Sequence, residues 1–275
     1  MHHVKNDAGR RIDIMNYYQN TRRISTLNKY LISFLFLLLG TFSILQAETK
    51  IMPLGDSLTW DWHYNDGRND AERSGYRNYL WYQLQDGGYN VNFVGSRSNG
   101  GAVRPSYDGN NEGYTGWTSH QIADKVYSFL DKNTPDIILL HIGTNDIIVS
   151  PGAASAEGVE RILDEIDRFE KNRGVKIKVI LARIVSYLKD PSWTSRFNSN
   201  LVTMAQNRID SGDDIILVDM ENGAGIDYGR DMMPDGIHPN NTGYSKMAGV
   251  WFKTLKENIK DHAWLVPIYG ILLSS

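Results

Sequence analysis

Short apolar segments alternate with longer segments of helical periodicity along most of this chain, and this alternation restricts the possible folds more than any other feature. Segment 136–143 is a continuous apolar run, as expected of a strand covered on both faces of a sheet. Five strands separated by helices are typical of a parallel sheet with helices on both faces. The predicted strands are 50–55, 91–95, 136–143, 175–184 and 215–220, and the predicted helices are 76–88, 119–132, 154–172, 191–210 and 242–258.

A single domain is the simplest interpretation of residues 48–260, because this range contains no internal repeat and no proline- or serine-rich linker. Two segments depart from the alternation. The glycine-rich segment 96–118 is predicted to be a long loop, and such loops are either functional or disordered. The apolar C-terminal tail, 261–275, is too short to cross a bilayer and either packs on the domain or serves as an interaction segment.

The first 47 residues have the pattern of a secretory leader. Arg22, Arg23 and Lys29 precede an apolar run that ends at the small residue Ala47, as in a signal peptide cleaved near that position. The alternative is an uncleaved membrane anchor, since the run approaches the roughly 20 residues that a span requires. Met1 or Met15 could be the true start. We expect a secreted, extracellular or periplasmic, protein without stable membrane association after the leader is cleaved.

Charge and cysteine content exclude several classes of function. The chain of 275 residues has a net charge of -3 and no cysteine, and the leader carries six Lys/Arg against two Asp/Glu. The remainder is therefore acidic, which argues against a nucleic-acid partner. The absence of cysteine excludes thiol nucleophiles and cysteine-ligated metals, and a protein without disulfides depends on its hydrophobic core.

Polar residues at the carboxyl ends of predicted strands have the chemistry of an acyl-transfer site. In open parallel sheets, active sites form outside these ends. Ser57 follows the first strand, while Asp235 and His238 lie on one loop before the last helix. Such a carboxylate can orient the imidazole and stabilise its protonated form, which lets His238 act as a general base. Taken singly, these residues also fit a turn serine and a helix-capping aspartate beside an exposed histidine.

Three candidate donors could stabilise an oxyanion next to Ser57. The N–H of Ser57 would lie at the start of a helix, where N–H groups have no intrahelical acceptor. Gly95 ends the second predicted strand and allows the backbone to approach a substrate closely. Asn145 follows the third strand and could add a side-chain N–H. Gly95 and Asn145 also fit ordinary roles as a strand end and a helix cap.

Four separated blocks together resemble the SGNH, or GDSL-type, hydrolases in their order and strand context. The blocks are Gly55-Asp56-Ser57, Gly95, the sequence GTND at 143–146, and Asp235 with His238. The resemblance implies a three-layer α/β/α sandwich around a flavodoxin-like five-stranded parallel sheet, and it implies deacylation of esters. It also implies that Ser57 is the nucleophile, His238 the base and Asp235 its partner, with Ser57 N–H, Gly95 and Asn145 forming the oxyanion hole. No Gly-x-Ser-x-Gly elbow of the α/β-hydrolases is present.

Four longer segments are similar to the secreted acetylxylan esterases of carbohydrate esterase family three. They read VNFVGS, NEGYTGW, ILLHIGTND and DGIHPNNTGYSKMAGVW. This resemblance implies removal of acetyl groups from hemicellulose. One departure is that Asn111 precedes Glu112-Gly113, where the family often has histidine, and this departure affects expectations about substrate more than about catalysis.

Aromatic residues near the predicted site fit a sugar substrate. Trp60, Trp62, Tyr114 and Trp117 flank the site in sequence, and aromatic faces suit sugar rings, although packed loop aromatics are equally common. His63, His120 and His141 show no zinc-type spacing, so no metal is predicted. His141 is expected to be a core residue within a strand.

The sequence therefore predicts a secreted serine carbohydrate esterase that needs no cofactor. It would remove acetyl groups from a plant polysaccharide or oligosaccharide, with xylan as the expected substrate, through an acetyl-Ser57 intermediate. Two alternatives remain open at this stage. One is a lipase- or lysophospholipase-like esterase of the same fold, and the other is a non-catalytic carbohydrate-binding protein.

Overall fold

The chain folds into alternating strands and helices in a computed structural model that describes residue 29, residues 48–151 and residues 154–259. The predicted leader, apart from Lys29, and the predicted tail 261–275 lie outside the described residues. The strands are β1 (Thr49–Gly55), β2 (Val91–Phe93), β3 (Arg97–Ser98), β4 (Asn110–Gly113), β5 (Ile137–His141), β6 (Lys178–Arg183) and β7 (Ile215–Asp219). The helices are α1 (Ser57–Trp60), α2 (Arg77–Asp86), α3 (Ser119–Lys132), α4 (Thr144–Val149), α5 (Glu157–Arg173), α6 (Pro191–Asp210) and α7 (Asn241–Asn258), with a 3-10 turn at Asp70–Glu72.

The predicted α/β architecture is confirmed, and the sheet is larger than predicted. Strands β1, β2, β5, β6 and β7 correspond to the five predicted strands, and every pairing among them is parallel. Two further strands, β3 and β4, lie in the glycine-rich segment that was predicted to be a loop, and they pair antiparallel with each other. Their sequences are polar and too short for a period-2 apolar pattern, so the hydrophobic signal that marks the other strands is missing.

The outer edge of β1 is shared between two strands. Strand β2 pairs with the first half of β1, from Thr49 to Ile51, whereas β4 pairs with Leu54 and Gly55 at its carboxyl end. Strand β5 occupies the other edge of β1 along most of its length. The chain therefore leaves β1 after β2, passes through β3 on the far side of β4, and returns through β4 to the carboxyl end of β1.

Successive residues of the central strands point to opposite faces, and each face is covered by helices. Met52, Leu54 and Leu140 belong to a core that includes buried side chains of α3, α5 and α6. Ile51 and Leu139 belong to a second core with α2 and α7. The result is a three-layer α/β/α arrangement whose strands are apolar on both faces. In the part of the chain that the structure describes, no helix combines the length and apolarity needed to cross a bilayer.

Candidate active site

Ser57 begins a short helix directly after the buried strand β1. The side chain of Asp56 caps this helix by accepting a hydrogen bond from the Leu58 N–H at 3.0 Å. Ser57 is 5% exposed, and its Oγ lies 2.8 Å from Nε2 of His238. A residue after β1 and a residue 181 positions later are thus brought within hydrogen-bond distance by the topology of the sheet.

The loop before α7 holds Asp235 and His238 in one fixed geometry. The Nδ1–H of His238 donates to Oδ2 of Asp235 at 2.7 Å, and the N–H groups of Ile237 and His238 donate to Oδ1 at 2.9 and 3.1 Å. Partial burial works to raise the pKa of Asp235, but these hydrogen bonds outweigh it and hold that pKa well below its ordinary value. Asp235 is therefore an ionised acceptor across the neutral pH range.

The two short contacts form a continuous chain from Ser57 through His238 to Asp235. Because a carboxylate only accepts hydrogen bonds, Nδ1 of His238 carries a proton and Nε2 of the neutral ring faces Ser57 as an acceptor. This arrangement can remove the proton of Ser57 Oγ and stabilise the resulting imidazolium.

Asp56 is a buried carboxyl group immediately before Ser57. It is fully buried, and only its Oδ1 has a hydrogen-bond partner, the Leu58 N–H. Burial raises the pKa of Asp56 to about 7, against the lowering effect of the Leu58 N–H, and the nearby charge of Asp146 raises it further. The pKa values of Asp56 and Asp235, the two carboxyl groups close to Ser57, are thus shifted in opposite directions.

Of the expected oxyanion donors, Ser57 and Asn145 lie at the carboxyl edge of the sheet. The Ser57 N–H is the first of α1 and lacks an acceptor within its own helix. Asn145 lies in the first turn of α4, and its Nδ2 donates to the Trp117 carbonyl at 2.9 Å. Since Nδ2 has two protons, one remains for a substrate.

The structure does not bring Gly95 to the level of Ser57. Pairing between β2 and β1 ends at Ile51, and the Cα of Gly95 packs so closely on the backbone of Asn111 that an added Cβ would lie 2.2 Å from its carbonyl oxygen. The glycine level with Gly55 is Gly113, at the end of β4. An added Cβ there would lie 2.7 Å from the Trp60 N, so Gly113 packs directly on α1.

Gly113 was missed because Gly95, at the end of the second predicted strand, was taken as the glycine at the sheet edge. The signal that could have identified it is the Glu112-Gly113 pair within the NEGYTGW segment. The neighbouring Asn111 is fully buried, and its Oδ1 accepts the Gly113 N–H at 2.8 Å while its Nδ2 donates to the Gly109 carbonyl at 2.8 Å. Asn111, which departs from the family pattern, therefore fixes the backbone of β4.

A buried arginine that the sequence did not single out connects α1 to the returning segment. Arg77 is fully buried, and its guanidinium donates to the carbonyl of Thr59 in α1 and to the carbonyl of Gly109, both at 2.8 Å. It also donates to Oδ1 of Asn99, whose Nδ2 in turn donates to the Trp60 carbonyl. Arg77 thus holds the helix that begins with Ser57 against the segment that leads into β4.

The aromatic residues expected to bind substrate differ in their surroundings. Trp60 is 6% exposed, and the guanidinium of Arg97 covers its ring at 3.8 Å. Tyr114 stacks on Trp117 with ring centroids 4.2 Å apart, and Arg97 also lies 4.9 Å from the centroid of Tyr114. Trp62 is half-buried and lies two residues after the end of α1. Trp60 and Tyr114 therefore pack within the protein rather than presenting free ring faces.

In the described ranges, no cluster of three or more His, Asp or Glu side chains is placed to hold a metal ion. His141 is fully buried in β5, where its Nε2 accepts the Val185 N–H at 3.3 Å. Burial lowers the pKa of His141 to about 4, so the ring is neutral at neutral pH. His141 is thus a core residue, as the sequence predicted.

Comparisons with known proteins identify the family of the chain. The profile of the family described as GDSL-like Lipase/Acylhydrolase matches residues 51–251. A multidomain esterase of Ruminococcus flavefaciens is 32% identical, over 77% of this chain and 29% of that protein, so the chain spans less than a third of that relative's length. A family 3 carbohydrate esterase of Clostridium thermocellum has a TM-score of 0.65 and 29% identity, covering 77% of this chain and 97% of that chain. An acetyl esterase mutant solved with an acetate ion has a TM-score of 0.64 and 26% identity, covering 78% and 99%.

The matched residues extend from Ile51 in β1 to Trp251 in α7 and so include Ser57 as well as the loop that carries Asp235 and His238. The family match therefore covers the same part of the chain as the parallel sheet and the three residues in contact. The chain belongs to the GDSL-like lipase/acylhydrolase family.

Proposed function

We propose that this protein is a secreted serine esterase that removes acetyl groups from a plant polysaccharide, with xylan as its substrate. The observation that carries the esterase activity is the hydrogen-bonded chain from Ser57 to His238 at 2.8 Å and from His238 to Asp235 at 2.7 Å. A serine hydroxyl in contact with an oriented imidazole is the arrangement that nucleophilic acyl transfer requires.

The reaction would proceed in two acyl-transfer steps. Ser57 Oγ attacks the acetyl carbonyl while His238 Nε2 takes its proton, and Asp235 stabilises the imidazolium that forms. His238 then returns the proton to the sugar oxygen as the ester bond breaks, which leaves an acetyl group on Ser57. Water, deprotonated by His238, attacks this acetyl-enzyme, and acetate leaves as Ser57 recovers its proton.

The developing oxyanion would be held by the Ser57 N–H and the free Nδ2 proton of Asn145. Gly113, in place of Gly95, is the glycine positioned for a third donor, because it ends the strand that pairs with Gly55. Its N–H is directed to Asn111 in this structure, so an oxyanion would compete with the Asn111 side chain for it. Removing one such donor from an acyl-transfer site typically costs on the order of a hundredfold in rate.

The acetyl group and the carbohydrate are proposed from the similar proteins. One of them is a family 3 carbohydrate esterase and another is an acetyl esterase solved with acetate, and both align over more than three quarters of this chain. The resemblance of the segments VNFVGS, NEGYTGW, ILLHIGTND and DGIHPNNTGYSKMAGVW to acetylxylan esterases supports the same substrate. Secretion is proposed from the leader pattern in residues 1–47, and N-terminal sequencing of exported protein would test cleavage near Ala47.

Acetate release tests the proposed activity. We expect the wild-type protein to release acetate from acetylated xylan faster than from acetylated pectin or chitin. The Ser57→Ala variant should lose at least about a thousandfold in kcat, because no other nucleophile replaces the hydroxyl. Acetate release by the variant at the wild-type rate would exclude Ser57 as the nucleophile, and a carbohydrate-binding protein would show no activity to lose.

A series of acyl chain lengths separates the acetyl esterase from the lipase-like alternative. Hydrolysis of 4-nitrophenyl acetate without hydrolysis of the octanoate ester supports the deacetylase, and the reverse preference would favour a lipase- or lysophospholipase-like enzyme.

A further inference from the structure

One aromatic side chain near the triad is unusually exposed. Tyr64 is 73% exposed, and in the described ranges the only other large apolar side chain with comparable exposure is Val149, at 69%. Tyr64 lies in the segment between α1 and the 3-10 turn, residues 61–69, which we call the rim segment. A single exposed aromatic side chain is ordinary on a protein surface, so the position of Tyr64 beside the triad, rather than its exposure alone, bears on function.

The rim segment is held in a fixed shape by buried ion pairs. Arg68 donates to both carboxylate oxygens of Asp61, at 2.9 and 3.0 Å, and to Asp66 at 2.8 Å. The Asp61 and Asp66 side chains are each only 3% exposed, and Asp66 also pairs with Arg73 at 3.4 Å. Hydrogen bonding to Arg68 outweighs burial and lowers the pKa of Asp66. The exposed Tyr64 is therefore presented by a braced turn.

This turn packs beside the imidazole of the triad. The ring of His63 lies 6.2 Å from the ring of His238, centroid to centroid, and its Nδ1 is 3.0 Å from the Tyr64 carbonyl oxygen. Tyr64 and His63 line a cavity of about 380 Å³ together with Asp235 and Pro234. A second cavity of about 470 Å³ is also lined by Pro234 and Asp235, so the two lie next to each other along the triad loop.

The direction of proton transfer in the reaction indicates which part of a substrate would occupy the cavity that Tyr64 and His63 line. In the proposed mechanism His238 returns a proton to the sugar oxygen, so the leaving group lies on the His238 side of Ser57. The rim segment forms the wall on that side. A polymer whose acetylated sugar is at Ser57 would therefore place a neighbouring sugar over His63 and Tyr64.

We propose that Tyr64 is a specificity-determining residue whose ring stacks on a sugar next to the acetylated one. The inference rests on the proposed deacetylase function and adds a subsite that distinguishes oligosaccharides from small esters. The apolar face of a pyranose ring matches the face of an exposed tyrosine, and the gain comes from ring contact rather than from the hydroxyl. Hydrolysis of the acetyl bond itself does not involve Tyr64.

Comparison of two substrates tests the subsite. For Tyr64→Ala we expect kcat/KM on acetylated xylo-oligosaccharides to fall on the order of tenfold through KM, since contacts between ring faces contribute about 1 kcal/mol. On 4-nitrophenyl acetate, which has no second sugar, the value should stay within about twofold. Tyr64→Phe keeps the ring and should match the wild type on both substrates, and thermal unfolding would verify that both variants fold.

The outcomes separate the subsite from the activity. An equal loss on both substrates, or no loss on either, would overturn the subsite while the deacetylase stands. A loss in Tyr64→Phe as large as in Tyr64→Ala would show that the hydroxyl, not the ring, is responsible, and would also overturn the proposal. If the wild-type protein releases no acetate from any acetylated saccharide, the proposed function itself fails.

Discussion

The pKa values of two carboxyl groups close to Ser57 are shifted in opposite directions by their surroundings. Asp235 receives hydrogen bonds from the His238 side chain and from two backbone N–H groups, which hold its pKa low despite partial burial. Asp56 is fully buried with one hydrogen bond, and burial raises its pKa to about 7. Environment, not residue type, therefore makes Asp235 an ionised partner for His238 and leaves Asp56 largely neutral below pH 7.

At the residue scale, the ionised form of Asp235 is the property that catalysis should depend on. In Asp235→Asn the side-chain N–H₂ can donate to Nδ1 of His238, which would place the ring proton on Nε2 and abolish its action as a base toward Ser57. We expect kcat on 4-nitrophenyl acetate to fall on the order of a thousandfold or more.

A matched variant controls for the loss of charge. Hydrogen bonding to Arg230 lowers the pKa of Asp227, as hydrogen bonding does for Asp235, but Asp227 lies outside the triad. Asp227→Asn should keep wild-type activity. Comparable losses in the two variants would point to a general electrostatic effect instead of a role for Asp235.

At the scale of elements, the position of Ser57 depends on contacts between α1 and the segment that returns to the sheet through β4. Gly113 packs on the first turn of α1, and Arg77 donates to carbonyl groups on both sides of this junction. The sequence predicted α6 with the bounds that the structure shows, because Pro191 and its apolar period mark it locally. It could not predict β4 or the role of Arg77, since both depend on pairing with residues distant in the chain.

Replacement of Arg77 tests this junction. Arg77→Met keeps much of the volume but leaves the buried carbonyl of Thr59 without its side-chain donor and removes one of two side-chain donors to the Gly109 carbonyl, so we expect the free energy of unfolding to fall by about 2–4 kcal/mol. Urea denaturation would measure this change in the free energy of unfolding. The exposed Arg104 also donates to carbonyl groups, of Gly101 and Val103, and Arg104→Met should cost less than about 0.5 kcal/mol. Equal effects would mean that the buried bonds contribute no more than the exposed ones.

At the scale of the whole molecule, a parallel sheet with helices on both faces collects residues from distant segments at one edge. This convergence was predictable, because the order of strands can be read from local apolar patterns and active sites form at their carboxyl ends. The contacts of Ser57, His238 and Asp235 follow from it. The level at which each strand ends was not predictable, and for that reason Gly113 rather than Gly95 lies beside Gly55.

The buried Asp56 should also make the stability of the whole domain depend on pH. Its pKa is about 7 in the folded protein, against an ordinary value of 3.8. Between about pH 4 and pH 7 the unfolded chain releases this proton while the folded protein keeps it. The contribution of Asp56 to the free energy of unfolding therefore falls as the pH rises through this window and levels off above it.

Asp56→Asn removes this titration and keeps a side-chain oxygen for the helix cap. Between pH 4 and pH 8 the stability of the variant relative to the wild type should rise by up to about 4 kcal/mol, as measured by urea denaturation at each pH. Asp86→Asn, at an exposed position, controls for the loss of a negative charge. A difference between Asp56→Asn and the wild type that does not change with pH would show that Asp56 is ionised in the folded protein throughout the range.

The sharing of one edge of β1 between β2 and β4 has a consequence for how such proteins diverge. One strand completes the core and the other reaches the site, and the segment between them contains β3, which pairs with β4. Arg77 also contacts Asn99 and Gly109 in this segment. Insertions over evolution are therefore expected in residues 100–107, between these two positions, where they can leave the register of β2 and β4 unchanged.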